Sequence, residues 1–333
     1  SYLGSKPGDI LEISYFEKPA GSKILNERLR CKVYKRAELM KIIKDIVNGA
    51  LSEAEIAYFI SGVNYCGMSM KEIHYLIDAI VNTGSRIHWG KDVADKHSIG
   101  GLPGNRTTPI VVSICAASGV IMPKTSSRAI TSAAGTADVI ESIARVNFTL
   151  DELKSIVNKT GACLAWGGAL GLAPADDRLI QVEKMLNLDP EPQLLASIQA
   201  KKVAVGSKYV LIDIPYGKGA KVSKTGAEAL KKKFLKLAKL LDLKMKIVLT
   251  DGRQPIGNGV GPILEIKDVL RVLERKDSPQ DLEKKSVFLA GEILELTKVV
   301  VKGKGLQKAQ QVLDKGLAFK KFKEIISAQG GSI

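Results

Sequence analysis

The segment Asp95-Lys96-His97-Ser98-Ile99-Gly100-Gly101 places a lysine, a hydroxyl and two glycines within seven residues. Paired glycines let backbone N–H groups approach an anion closely, and Lys96 adds a point charge, so the segment reads as a phosphate cradle. Leu102-Pro103-Gly104-Asn105-Arg106-Thr107-Thr108-Pro109 follows and opens a helix, with Pro109 as its first position. A helix N-terminus there would add its dipole to the same anion. Taken alone, a glycine turn before a helix is equally an ordinary loop. A second stretch sharpens the reading: Lys124 to Thr136 carries six Ser or Thr, one Arg and one Lys in thirteen residues. An Arg fork among hydroxyl donors suits a phosphate monoester, although a polar surface loop has the same composition. The Walker pattern GxxxxGK[ST] does not occur.

These loops need a frame. Ser52 with Glu55 and Ser69 with Glu72 are capping boxes ahead of apolar-periodic runs, which predicts helices over about 53–63 and 70–83. Apolar segments near 110–122, 162–166, 208–214 and 245–250 alternate with helical patterns near 137–144, 150–160 and 225–242. Strand, glycine loop and helix in succession predict an α/β fold whose ligands sit beyond the carboxyl ends of the strands. The expected architecture is a small all-helical lobe plus a larger α/β lobe with a central mixed sheet, the active site lying in the cleft between them. Residues 1–35, broken by Pro7-Gly8 and Pro19-Ala20-Gly21, read as extended linker or the remnant of an N-terminal domain. Residues 36–90 begin the helical lobe and 176–206 return to it. Residues 91–175 and 207–333 form the two parts of the α/β lobe.

Composition narrows the function classes. The 333 residues carry 50 Lys and Arg against 35 Asp and Glu, a net charge of +15. Such a charge suits nucleic acid or a field that concentrates a small anionic substrate. Aromatics make up only 5%, no helix-turn-helix or RNA-binding signature occurs, and lysines such as those of Lys231-Lys232-Lys233-Phe234-Leu235-Lys236 fit a solvated helix face. No nucleic-acid partner is therefore expected. Four separated cysteines (Cys31, Cys66, Cys115 and Cys163) read as free thiols, and three histidines argue against a multi-His metal centre. No apolar run is long enough for a membrane span and no signal peptide is visible, so a cytoplasmic protein without membrane contact is expected. The unusual first and last residues suggest a piece of a longer protein.

The order DKHSxGG, then SxR…GT, then Ala173-Pro174-Ala175-Asp176-Asp177-Arg178, then Ser197-Ile198-Gln199-Ala200-Lys201-Lys202 resembles the thymidine and pyrimidine-nucleoside phosphorylase family, from about Ala37 to Gly330. That family has a helical and an α/β lobe with the active site between them, and dimerises through the helical lobe. The resemblance therefore implies a homodimer or larger homo-oligomer and, relative to the family, the lack of a further C-terminal domain. It also implies no cofactor, inorganic phosphate being a co-substrate.

The departures from the family pattern carry information. Where pyrimidine enzymes read roughly SGRGLGHTGGT, this chain reads Ser126-Ser127-Arg128-Ala129-Ile130-Thr131-Ser132-Ala133-Ala134-Gly135-Thr136. A VGDVTS-like segment has become Leu102-Pro103-Gly104-Asn105-Arg106-Thr107, which adds Arg106. Both changes increase the capacity for a second phosphate and resemble the archaeal branch that acts on nucleoside 5′-monophosphates, converting AMP and phosphate to adenine and ribose 1,5-bisphosphate.

By motif match, Lys96, Ser98, Thr107, Ser126 and Thr136 fall on inorganic-phosphate positions. Arg178, Ser197 and Lys201 fall on base-contacting positions. Gly101 and the loop Ser127, Arg128, Ala129, Ile130, Thr131 and Ser132 are assigned to the nucleotide phosphate and ribose, and Lys221 borders the substrate. In phosphorolysis the departing base needs a proton. Asp189, eight residues before Ser197, is the candidate acid, although Asp189-Pro190-Glu191 also reads as a helix cap followed by Pro at the first helical position. His97 is its rival, and Asp176 and Asp177 are weaker ones. A pyrimidine-nucleoside phosphorylase is the alternative. A phosphoribosyltransferase fits less well, because neither phosphate loop holds an acidic pair for Mg²⁺.

Overall fold

The computed structural model describes residues 6, 8–10, 19–28, 30–129 and 134–333. Helices α1 (Ala20–Arg28), α2 (Arg36–Val47), α3 (Glu53–Cys66) and α4 (Met70–Asn82) precede strand β1 (Ala94–Ser98). Next come α5 (Thr107–Ala117), β2 (Met122–Ser126), α6 (Thr136–Glu141), α7 (Leu150–Thr160) and β3 (Ala162–Trp166). A 3-10 turn leads to α8 (Pro174–Leu186) and α9 (Glu191–Ala204), then β4 (Tyr209–Tyr216), α10 (Lys224–Leu240) and β5 (Lys244–Asp251). Helices α11 (Pro262–Glu274), α12 (Gln280–Leu296), α13 (Gly305–Asp314) and α14 (Leu317–Ala328) close the order.

Local chemistry starts the early helices where expected. The Ser52 and Ser69 side chains accept from the backbone N–H groups of Glu55 and Glu72, and each Glu reaches back to its cap, so α3 and α4 begin with two orphan donors satisfied. Residues 1–35, expected as extended linker or the remnant of an N-terminal domain, are not extended throughout: they form α1, whose Leu25 is buried. The uniformly apolar segment from 110 is helical to Ala117, and the strand starts only at Met122. All ten residues from Thr107 to Ala116 are buried, so no polar stripe betrays the period. Pro109 is the third helical residue rather than the first.

The sheet is parallel rather than mixed. Strands β1-β4-β5 form one three-stranded sheet and β2-β3 a two-stranded one, every pair parallel. Helical crossovers join the strands, and crossover connections bring strands back in the same direction. The register sets Ser98, the end of β1, beside Asp213 and Ser126, the end of β2, beside Trp166.

Strand β4 separates two cores by the alternation of its side chains. Val210, Ile212 and Ile214 join helices α1 to α4, α8 and α9, including the stripe Leu39, Ile42, Ile43 and Ile46. Tyr209 and Leu211 face the other way, onto a core built with α5 and α11 to α14. The cysteine expectation is corrected for one pair. Cys31 and Cys66 form a disulfide, their Cα atoms 5.4 Å apart, because α1 and α3 pack together; Cys115 and Cys163 are free and buried. No helix among the described residues is long and apolar enough to cross a membrane.

Candidate active site

Strand β1 sends alternate side chains to its two faces. Lys96 is fully buried, and its ammonium donates to Thr107 Oγ1 at 2.8 Å and Thr108 Oγ1 at 3.4 Å, at the start of α5. Burial pulls the Lys96 pKa down to about 7; Asp213 opposes this, while Lys285, Lys124 and Arg106 add to it. An anion brought here would restore the ammonium. Ser98 Oγ accepts from Asn105 Nδ2 at 3.3 Å.

Asp95 points to the opposite side and is a counter-ion rather than part of the cradle. It pairs with Lys202 of α9 at 2.6 Å and with Lys124 of β2 at 3.2 Å, all three buried. Burial opposes its charge, yet Lys124 and Lys202 hold the carboxyl below its ordinary range. Lys124, counted above among the phosphate-loop cations, is thus engaged elsewhere, and burial pulls its pKa down to about 8 against the pull of Asp95. His97 is half-buried, and burial first, then Lys202, Lys124, Lys201 and Lys96, hold its imidazole well below the usual titration range. A neutral imidazole is a poorer proton donor than an imidazolium, which weighs against His97 as the acid.

The hydroxyl loop leaves β2 at Ser126, whose buried Oγ has no hydrogen-bond partner among the described residues. Its far end is clasped. Ala137 N–H donates to Ser127 O at 3.3 Å, and Gly135 packs so tightly that a Cβ there would lie 2.3 Å from Ser127 O. Arg106, expected to add capacity for a second phosphate, is held by protein partners. It is buried, pairs with Glu265 of α11, and donates to Thr136 Oγ1 and Ala134 O, both at 3.0 Å. Arg128 lies over the Trp166 ring at 4.7 Å and pairs with Asp138, at 3.2 Å, and with Glu141. Ala129 N–H donates to Asp138 at 2.8 Å, and Ala129 O accepts from Lys184 of α8 at 2.9 Å. Ile130, Thr131 and Ser132 lie outside the described residues.

A second cluster gathers on α8, α9 and the loop after β4. Ser197 Oγ donates to Asp176 at 2.9 Å, and Lys201 pairs with the same carboxylate at 2.6 Å. Burial, opposed by Lys201 and aided by Asp176, raises the Asp177 carboxyl to about 6. Asp189 is no helix cap: Pro190 occupies that position, and the Asp189 carboxylate pairs with Lys221. Gly217 N–H donates to Val222 O at 3.1 Å, closing the loop that carries Lys221 back toward β1. There Lys221 meets Gly101, which adopts φ 81°. This contact joins the two clusters. Arg178 stands apart from both, donating to Ile46 O at 2.6 Å at the end of α2.

The arrangement offers buried cations and hydroxyls for anions on one side and carboxyls near lysines on the other. Several members escaped the sequence reading. Glu265 and Asp138 come from other elements with no motif of their own, and Lys202 reads only as the end of the Ser197–Lys202 motif, not as a partner of Asp95. Glu183 of α8 is pushed up to about 8 by burial together with Asp176 and Asp189, against Lys201 and Lys221. Its position seven residues after Asp176, on the same helix face, was the available signal. Among the described residues no three His, Cys, Asp or Glu side chains converge as a metal would require.

Residues 90–319 match the glycosyl transferase family, a/b domain. The chain is 48% identical to a Pyrococcus furiosus protein named AMP phosphorylase, over 97% of this chain and 65% of that one. It is 47% identical to a Ralstonia nicotianae protein named putative thymidine phosphorylase, over 99% of this chain and 66% of that one. The chain thus spans about two thirds of the length of these relatives. Among solved structures it is similar to anthranilate phosphoribosyltransferase from Thermus thermophilus, with a TM-score of 0.75 and 15% identity, covering 92% of this chain and 99% of that chain. At that identity the likeness is one of fold.

Proposed function

Given that the chain belongs to the glycosyl transferase family through its a/b domain at residues 90–319, we propose that it phosphorolyses nucleoside 5′-monophosphates, turning AMP and phosphate into adenine and ribose 1,5-bisphosphate. The observation that carries this reading is a buried lysine with hydroxyls at the start of α5 together with an arginine on the neighbouring loop after β2. Lys96 with Thr107 and the unpartnered Ser126 hydroxyl suit the attacking phosphate. Arg128, at the mouth of the adjoining loop, suits the phosphate already on the nucleotide. The 48% identity to a relative named for AMP supports the same substrate.

In this reading the site occupies a cleft between a small helical lobe (36–90 and 176–206) and a larger α/β lobe (91–175 and 207–333). A phosphate oxygen held by Lys96, Ser98, Thr107, Ser126 and Thr136 attacks C1′. The glycosidic electron pair leaves with the base, and fixed cations near the nucleophile keep the reactants aligned. Arg178, Ser197 and Lys201 contact the base, Arg178 only after leaving Ile46. Lys221 and Gly101 border the nucleotide, and Asp189 protonates the base. No resident cofactor is assigned, and a homodimer or larger homo-oligomer belongs to the same proposal.

The test is adenine release from AMP or from adenosine with phosphate supplied. Release from adenosine and none from AMP would overturn the nucleotide reading. The relative named putative thymidine phosphorylase favours a second reading, a pyrimidine-nucleoside phosphorylase, which thymidine and uridine in the same assay decide.

A further inference from the structure

Strand β4 brings a carboxylate to the sheet face that holds the phosphate cradle. In the register of β1 with β4, Lys96 stands beside Leu211 and Ser98 beside Asp213. Paired residues of neighbouring strands share a face, and Leu211 lies in the core built with α5 and α12. Lys96, Ser98 and Asp213 therefore line one side of the sheet. The two strand ends are also tied directly, Ile99 N–H donating to Asp213 O at 3.1 Å. Asp213 is fully buried. Its carboxylate accepts from Thr250 Oγ1 of β5 at 2.5 Å and pairs with Lys285 of α12 at 3.0 Å.

Lys285 has more to offer than this pair uses. Its side chain is 8% exposed, and apart from the Asp213 ion pair its ammonium has no hydrogen-bond partner among the described residues. An ammonium carries three N–H donors, and buried donors take acceptors. The charges on this face are uneven as well. Lys96 and Lys285 are two ammoniums beside the one Asp213 carboxylate, and Lys285 disfavours the Lys96 charge that Asp213 supports. Buried charge in excess is costly unless it is paired. A phosphate anion at Lys96 and Ser98 would answer both the surplus charge and the open donors.

We propose that Lys285 is a further phosphate-binding residue. Asp213 seats its ammonium beside Ser98, and the remaining N–H donors take an oxygen of the inorganic phosphate held by Lys96, Ser98 and Thr107. Asp213 and Thr250 touch no substrate; they position the lysine. Helix α12, far along the chain from the glycine cradle, thus completes the anion site. This rests on the phosphorolysis reading given above and deepens it.

The test is calorimetric binding of inorganic phosphate to the full chain without nucleotide, beside KM for phosphate and for AMP. K285Q should weaken phosphate binding and raise its KM by about ten- to a hundredfold, with KM for AMP within about threefold. K285R keeps the charge and should recover part of the affinity. A purely structural lysine would behave otherwise. Adding Asp213→Asn to K285Q removes both charges of the pair, so it would then restore phosphate binding along with stability. Under the proposal the double variant unfolds at the wild-type temperature or nearly so, yet binds phosphate as weakly as K285Q. Phosphate affinity within twofold of wild type, in K285Q or in the double variant, overturns the proposal. If K285Q does not fold, K285R binding phosphate no better than the double variant overturns it. Binding of phosphate that depends on Lys285 in a chain that leaves AMP intact upholds the role of Lys285 and sinks the phosphorolysis reading. AMP cleavage with phosphate binding indifferent to Lys285 does the reverse.

Discussion

Lys221 is seated on Gly101: a Cβ at residue 101 would stand 3.2 Å from the Lys221 Cβ and 3.3 Å from its backbone nitrogen. Gly101 also holds φ 81°, where an L side chain is strained. Gly101→Ala should therefore dislodge Lys221 and lower kcat/KM for AMP by about ten- to a hundredfold, since small displacements of positioning groups are expensive. The fold should lose only about 1–3 kcal/mol, the range for one strained backbone position. Steady-state kinetics beside thermal unfolding check this, and an unchanged kcat/KM would show that the seat of Lys221 is dispensable.

Lys96 should make phosphate binding take up protons. In the empty site burial holds its pKa to about 7, so above that pH the amine is largely neutral, and a bound phosphate stabilises the ammonium. Affinity for phosphate should weaken as pH rises past this value. Calorimetry in buffers of different ionisation heat should register proton uptake that Lys96→Gln abolishes. The stability linkage has the opposite trend. The unfolded chain binds the Lys96 proton more tightly than the folded one, so the penalty of burying Lys96 eases as pH rises from about 7 toward 10.5.

Arg128 should matter for AMP far more than for a nucleoside. Arg128→Ala removes a charge-assisted pair of about 1.5–3 kcal/mol, raising KM for AMP by about ten- to a hundredfold and leaving any nucleoside activity nearly intact. Before it can meet a phosphate, the guanidinium must leave Glu141, a partly exposed partner. Exposed pairs hold weakly, at about 0–1 kcal/mol, so Glu141→Gln should lower KM for AMP by a few-fold at most. Equal losses for AMP and adenosine in Arg128→Ala would remove Arg128 from the phosphate.

Asp95 should prove a residue of stability. Asp95→Asn leaves the Lys124 and Lys202 ammoniums buried without a carboxylate, and breaking a buried pair costs about 3–5 kcal/mol. Denaturant unfolding should show a loss of that size. A variant as stable as wild type would mean that both lysines give up their protons or find water.

The sequence made legible what lies within a few residues. The Ser52–Glu55 and Ser69–Glu72 boxes announce α3 and α4 because both halves of each hydrogen-bond exchange lie within one turn. The glycines of the cradle declare themselves through their backbone freedom, and Gly100 and Gly101 do adopt positive φ. Asp189 shows where such reading ends. Its neighbours Pro190 and Glu191 suggested a cap, but its partner is Lys221, 32 residues on. Asp95, Lys124 and Arg106 were assigned by the company they keep in sequence, whereas their partners Lys202 and Glu265 arrive from α9 and α11. Glu183 was passed over for a related reason: burial, which only the packed chain creates, is what raises its carboxyl pKa.

The Cys31–Cys66 bond joins the link before α2 to the last residue of α3. Tension applied to the chain ahead of Cys31 therefore crosses the sulfur bridge straight into the far end of α3. Helix α2 and the start of α3 lie inside the bypassed loop and carry none of that load, so a tug from the front leaves α2 slack until the bridge is reduced.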